Sequence, residues 1–181
     1  MDEAGLLMAP LVRRSWAPKG RPSVLARKAR RREKVSVGAA LWLTPSRDRL
    51  ALAYRTLVNG YFAAGAVADF LGGALQGLSQ PFVVVWDGGT MHRGHPIRSL
   101  VGASRGRLEV ETLPAHAAEL MPVEQSWTWL KYDRLCNFAP ENARQLDGVI
   151  RRELDAVKGD QQRLRNFFHA SDLPLPRAIL S

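Results

Sequence analysis

The chain has 181 residues, 46% of them apolar, with five Trp and six Phe, which suits a single domain over residues 1–181 with a substantial core. Lys and Arg outnumber Asp and Glu by 26 to 17, for a net charge of +9. The single cysteine, Cys136, excludes an internal disulfide framework and a multi-cysteine zinc site, and no apolar run approaches the ~20 residues of a membrane span. The first residues include two acids and lack the basic-then-apolar layout of a signal peptide, so a cytoplasmic protein with no membrane partner is expected.

In chain order, residues 1–12, MDEAGLLMAPLV, predict one strand that begins near Asp2 and is interrupted by Pro10. Residues 16–33 hold the WAPKGRP turn and a basic run, and read as a loop with little core of its own. KVSVGAALWL at 34–43 predicts a strand, TPSRDR a turn, and LALAYR at 50–55 the strand paired with it. AGAVADFLGGALQ at 64–76 puts Val67, Phe70, Leu71 and Leu75 at helical spacing. Gly72 and Gly73 weaken that helix by about 1 kcal/mol each relative to alanine.

PFVVVWDGG follows. Its unbroken apolar run, Phe82 to Trp86, predicts a strand buried on both faces. A helix over 95–104, a strand over 108–113, and helices over 122–137, 141–157 and 160–169 complete the pattern. The DLPLP tail at 172–176 cannot continue a helix. The order predicts an α/β fold with a mixed sheet.

The charge is uneven. Residues 13–34 carry ten basic residues: Arg13, Arg14, Lys19, Arg21, Arg27, Lys28, Arg30, Arg31, Arg32 and Lys34. Only Glu33 opposes them. Such a run is either a solvated loop or a surface for a nucleic-acid backbone, and the density favours the second.

Three acids stand out. Asp87 ends the apolar strand and precedes Gly88-Gly89, and ligands of open α/β sheets bind just beyond the carboxyl ends of strands. An acid there also starts turns without any function. Glu124 follows Pro122 in the first turn of a helix, a placement favoured by helix chemistry alone. It lies about 100° from Val123, at the edge of the stripe Val123, Trp127, Leu130. Asp2, beside Glu3, opens the first strand. Carboxylates converging from separate elements repel one another unless cations stand between them. Hard oxygen ligands select Mg²⁺ or Mn²⁺, which serve phosphodiester chemistry.

These segments resemble the catalytic domain of the DDE transposases, in the bacterial insertion-sequence branch related to Tc/mariner elements. DEAGL at 2–6 resembles the first-acid motif, and RSWAPKGRP at 14–22 the W-x-x-x-G segment after it. VVVWDGGTMH at 83–92 is similar to the second-acid strand, usually written D-N-A with a nearby histidine. LPAHAAELMPVEQSWTWLK at 113–131 resembles L-P-x-Y-x-P-x-L-N-P-I-E-x-x-W-x-x-L-K, the most specific match. Positions 88 to 123, thirty-six residues, separate the second and third acids, as is usual for this branch. Three positions depart from the pattern: Gly88 and Met121 stand where Asn is common, and Ala118 replaces a proline. Met is a poor N-cap, so the helix start is expected to lose ~1 kcal/mol.

The resemblance implies an RNase H-like mixed sheet flanked by helices, with Asp2, Asp87 and Glu124 as a catalytic triad holding Mg²⁺ or Mn²⁺. Glu3 and His92 also match the motifs. Trp127 and Leu130 match positions read as core. Lys131 is expected either to meet a phosphate or to be an ordinary surface lysine. The implied function is metal-dependent DNA cleavage and strand transfer for transposition of an insertion sequence. The implied partners are DNA, as transposon ends and target, and a second copy or a separately encoded helix-turn-helix part. Association with the nucleoid is expected when DNA is bound. The helix-turn-helix region is expected to be absent and the first, central strand to be truncated. A remnant that is catalytically inactive and binds DNA non-specifically through the basic segment is the alternative. A purely hydrolytic nuclease on the same fold is a third.

Overall fold

A computed structural model of the chain describes residues 1–9, 11–22, 24–25, 33–44, 46, 48–114 and 117–173. Strand β2 (Lys34–Leu43) organises one half of the molecule. It pairs antiparallel with β1 (Asp2–Leu7), register Asp2 opposite Ala39, and with β3 (Leu50–Val58), register Val35 opposite Val58. Val35, Val37 and Ala39 are fully buried on one face of β2. Ala4 and Leu6 of β1 and Leu50 and Leu52 of β3 share that core, as the two-residue period of paired strands requires.

Three helices cover this face: α3 (Pro122–Trp129), α4 (Ala143–Gly159) and α5 (Gln161–His169). α4 buries Leu146, Ile150, Leu154 and Val157, a stripe at the i+3/i+4 spacing of an amphipathic helix. Its start is doubly capped. Asn142 accepts from the Gln145 N–H at 2.9 Å, and Glu33, from the edge of β2, accepts from the Ala143 N–H at 2.9 Å. The one acid set against the basic run thus serves a helix terminus. After Trp129 the chain widens into a π turn, Leu130–Arg134. Arg134 anchors that turn on the buried Glu153 of α4, at 2.6 Å.

The second half is built on β4 (Phe82–Trp86) and β5 (Leu108–Thr112), a parallel pair, with α1 (Ala64–Gly77) and α2 (His95–Ala103) against it. Val67, Leu71, Val84, Trp86, Ile97 and Leu108 form its core together with Met1 and Phe62. Arg107, at the mouth of β5, closes the carboxyl end of α1 by donating to the carbonyls of Leu75 and Leu78. Phe62 joins the halves. Its ring lies on bare backbone at Gly38 of β2, where a Cβ would stand 2.7 Å from ring atom Cε1.

Most predicted elements stand within a residue or two of their expected bounds; β3 runs on to Val58, β1 stops at Leu7, and the helix expected over 122–137 is α-helical only to Trp129 before the π turn that ends at Arg134. Two expectations are corrected. First, the strands form two sheets, three antiparallel and two parallel, and not one continuous ladder. They meet where the Met1 amino group donates to the Val85 carbonyl at 2.8 Å. Second, β4 is buried on one face only. Val84 and Trp86 point inward, while Val83 and Val85 are exposed, because α3, α4 and α5 pack over β1–β3 and do not extend over β4 and β5. Most of the DLPLP tail lies outside the described residues. No helix among the described residues is long and apolar enough to cross a membrane.

Met121 repays its poor capping by packing. It makes no side-chain cap, but it is 4% exposed and belongs to the core under α3. Burying a methionine contributes about 1.5–3 kcal/mol, against ~1 kcal/mol for a good N-cap. Met121→Asn is therefore expected to lower stability by roughly 1–2 kcal/mol, read as a melting temperature lower by about 2–4 °C per kcal/mol. A higher melting temperature would show that the cap dominates.

Candidate functional site

Asp2 is the first residue of β1, at the end that meets β4, and is 7% exposed. Its Oδ2 accepts the indole N–H of Trp127 at 2.7 Å. Trp127 and Glu124 are three residues apart on α3 and so share a face of the helix. Both reach Asp2. The Glu124 carboxyl stands within hydrogen-bonding reach of the Asp2 carboxyl. Burial pushes the Asp2 carboxyl above its ordinary value, and the charges of Glu3 and Asp87 add to the rise while Trp127 opposes it. Burial, followed by the Asp2 charge, likewise raises Glu124, and Lys131 pulls it back.

Asp87 comes from the other half of the molecule. It follows β4 directly and is exposed. Its charge raises both Asp2 and Glu124, which places it in the same neighbourhood. The Met1 amino group belongs there too: burial pulls its pKa down to about 6, against the opposing pull of Asp2, Glu3 and Asp87. The Asp87 Oδ1 accepts from the Gly89 N–H at 2.9 Å and lies 2.9 Å from His92 Nδ1. Gly89 leaves room in that turn: a Cβ would come within 2.9 Å of Oδ1 and 2.8 Å of the Met91 sulfur, so both side chains would have to shift. Gly88 is roomier: a Cβ there meets the Arg93 guanidinium at 3.4 Å.

His92 is buried in a short 3₁₀ turn, Thr90–His92, and stacks on Trp86 with centroids 4.4 Å apart and planes 3° from parallel. Its Nε2 lies 3.0 and 3.1 Å from the two Glu3 carboxylate oxygens. Burial alone would lower its pKa, but Glu3, and then Asp87, outweigh burial and hold it above the ordinary histidine value.

The donors suit a hard divalent cation: three carboxylates, with no thiolate among them. The crowding of Asp2 against Glu124 is the strain that a cation between them would relieve. Among the described residues, no three acidic, histidine or cysteine side chains stand close enough together to hold a metal ion as they are placed. Asp2 and Glu124 face each other, and the Asp87 carboxyl is turned to Gly89 and His92.

The basic residues divide. Arg13, Arg14, Lys19 and Arg21 lie on an exposed, extended segment with the fully exposed Trp16. Asn137 holds its root, bonding Leu11 O at 2.8 Å, Arg13 N at 2.9 Å and Arg13 O at 3.1 Å. Arg13 itself donates to the Tyr132 carbonyl and pairs with Asp133 at 3.2 Å, so it anchors the segment to the π turn. Lys34 opens β2 and lies over the Tyr61 ring. Lys131 is half-buried near Glu124. Arg27, Lys28, Arg30, Arg31 and Arg32 lie outside the described residues.

Trp127 is corrected from pure core: it is buried, yet its N–H fixes the Asp2 carboxylate. The signal was its i+3 spacing from Glu124, which an apolar-stripe reading treats only as packing.

Residues 1–147 match the family described as DDE superfamily endonuclease. Among solved structures, the fold is similar to the Mos1 transposase paired-end complex with left transposon end (TM-score 0.64, 16% identity, 99% of this chain and 52% of that one). It is also similar to the Mos1 mariner paired-end complexes with Mn (0.63, 17%, 99% and 52%) and with Mg (0.60, 13%, 93% and 51%). The chain spans about half the length of these structures, and at such identity the likeness carries the fold, which is the expected RNase H-like α/β class. Comparison with curated proteins gives no match.

A carboxyl whose pKa is raised by folding costs stability once ionised. The contribution is intact at low pH and is lost as pH climbs from the ordinary carboxylate range through the raised value. Glu124→Gln removes this cost. In EDTA at pH 8 its melting temperature is expected to exceed that of wild type by about 2–4 °C, roughly 1 kcal/mol, with the gap closing on acidification. A variant less stable at pH 8, or a gap that widens in acid, contradicts the crowded pair.

Proposed function

The chain belongs to the DDE superfamily endonuclease family, and from that premise we propose that it is a transposase catalytic domain that cuts DNA and joins it to a target with Mg²⁺ or Mn²⁺. The observation that carries this reading is the bond from Trp127 to Asp2 at 2.7 Å, which brings Asp2 to the helix that carries Glu124, with Asp87 linked to the same end of β1 through His92 and Glu3. These acids come from three separate elements, and a shared ion is the simplest reason for such crowding.

In this reading Asp2, Asp87 and Glu124 hold the metal. A bound divalent ion lowers the pKa of an attacking water or hydroxyl and stabilises the leaving oxygen of a phosphodiester. The protein supplies the rest. Trp127 keeps Asp2 turned toward α3. Lys131, close to Glu124, faces the incoming phosphate. Arg14, Lys19 and Arg21 hold backbone phosphates without reading bases. In the joining step a DNA 3′-hydroxyl attacks a target phosphorus: one P–O bond forms, another breaks, and no energy-carrying cofactor is consumed.

The test is nicking of supercoiled plasmid by the purified chain. Nicking is expected with Mg²⁺ or Mn²⁺ and not with EDTA, and Asp87→Asn is expected to reduce it by about 100-fold or more while leaving salt-dependent DNA binding in place. Equal nicking by both proteins overturns the assignment of Asp87. Steeply salt-dependent binding with no metal-dependent nicking favours the inactive, DNA-binding alternative. Nicking without joined product favours a hydrolytic nuclease.

A further inference from the structure

We propose that Glu3 and His92 are a positioning pair that fixes the Asp87 carboxylate relative to β1, and so sets where the third acid stands beside Asp2 and Glu124. The inference rests on the metal reading of those three acids.

Asp2 and Glu124 are tied together by Trp127, but Asp87 is carried by a different sheet. Among the described residues, the β1–β2–β3 and β4–β5 sheets share no ladder, and the bond from Met1 to Val85 is a main-chain link between them. Asp87 also lies beyond the end of β4, on an exposed turn. A single main-chain bond therefore joins the sheets near the acids, and the side chains of Glu3 and His92 add a tie that reaches Asp87 itself.

His92 is placed to do this. Its side chain is 2% exposed. Nε2 engages both oxygens of Glu3, at 3.0 and 3.1 Å. Nδ1 lies 2.9 Å from the Asp87 Oδ1 and 3.1 Å from the Asp87 carbonyl. One face of the ring is packed flat on Trp86, the residue before Asp87. Both nitrogens and a face are occupied, so the ring has one orientation open to it. Neither nitrogen is free to bind metal, which makes His92 a positioning residue and not a ligand.

Glu3 is the fixed end. Its side chain is 7% exposed, and it neighbours Asp2 on a strand, where successive residues point to opposite faces. Asp2 reaches Trp127 on one side of β1, and Glu3 reaches His92 on the other. The strand is gripped from both sides at the level of the acids. A buried ion pair is weak as a device for stability alone, because desolvation offsets its attraction. As a clamp between two sheets it has a use that stability does not supply.

Mn²⁺ binding to the full chain, measured by titration calorimetry, separates positioning from simple support of the fold. Glu3→Ala is expected to weaken Mn²⁺ binding by roughly 10–100-fold, the usual effect of losing a residue that orients a metal ligand. Glu3→Gln keeps an acceptor for the His92 N–H and is expected to recover most of that affinity. Amide exchange over residues 87–92 is expected to speed up in Glu3→Ala and return in Glu3→Gln, with or without metal. If Glu3→Ala does not fold, His92→Gln, which breaks the link to Asp87, takes its place with the same expected loss. Wild-type affinity in the folded variant, alongside weak binding by Asp87→Asn, overturns the positioning pair and leaves the metal reading intact. Equal Mn²⁺ affinity in wild type and Asp87→Asn overturns both.

Discussion

The hydrogen bond from the Trp127 indole to Asp2 is the contact on which the molecule turns. It fastens α3 to the amino end of β1, buries an acid that would otherwise be solvated, and aims that acid at Glu124. A buried indole N–H without an acceptor costs about 1–3 kcal/mol, and a buried carboxylate without a donor costs more. Each group therefore needs the other. The same bond serves folding and the site, because the helix that covers the main core carries Glu124 three residues earlier.

The rest of the site is assembled across a seam. One core lies under α3, α4 and α5; the other lies between the β4–β5 pair and helices α1 and α2. The acids straddle it, with Asp2 and Glu124 on one side and Asp87 on the other. The Glu3–His92 contact and the Phe62 ring lying on Gly38 tie the two sides together at the level of the acids.

Much of this was legible in the sequence, and the reasons differ by element. β2, α4 and α5 declare themselves through strong periodicity, since each meets one core with one face. The acids drew attention because the spacing of Asp87, Glu124 and Trp127 resembles a known pattern. What escaped notice depends on partners distant in the chain. The run Phe82–Trp86 looks fully buried, but period alone does not say whether a helix covers the second face, and Val83 and Val85 are left bare. Met121 looks like a missing cap because its burial depends on the core formed with β1 and α4. Glu33 looks like a stray acid in a basic run, although its carboxylate lies at the start of a helix 110 positions away. The double use of Trp127 was hidden because an apolar stripe is explained by its rings alone.

Phe62 lying on Gly38 has a reach beyond its own core. Gly38 stands opposite Glu3 in the strand register, and its neighbour Ala39 stands opposite Asp2. A methyl group at position 38 would lift the ring or bow the strand, and either displacement passes directly to the two acids across the ladder. In a genetic screen, alleles at this buried, uncharged position would share a phenotype with lesions of the carboxylates. Conservation there, wherever relatives are compared, would record geometry and not chemistry.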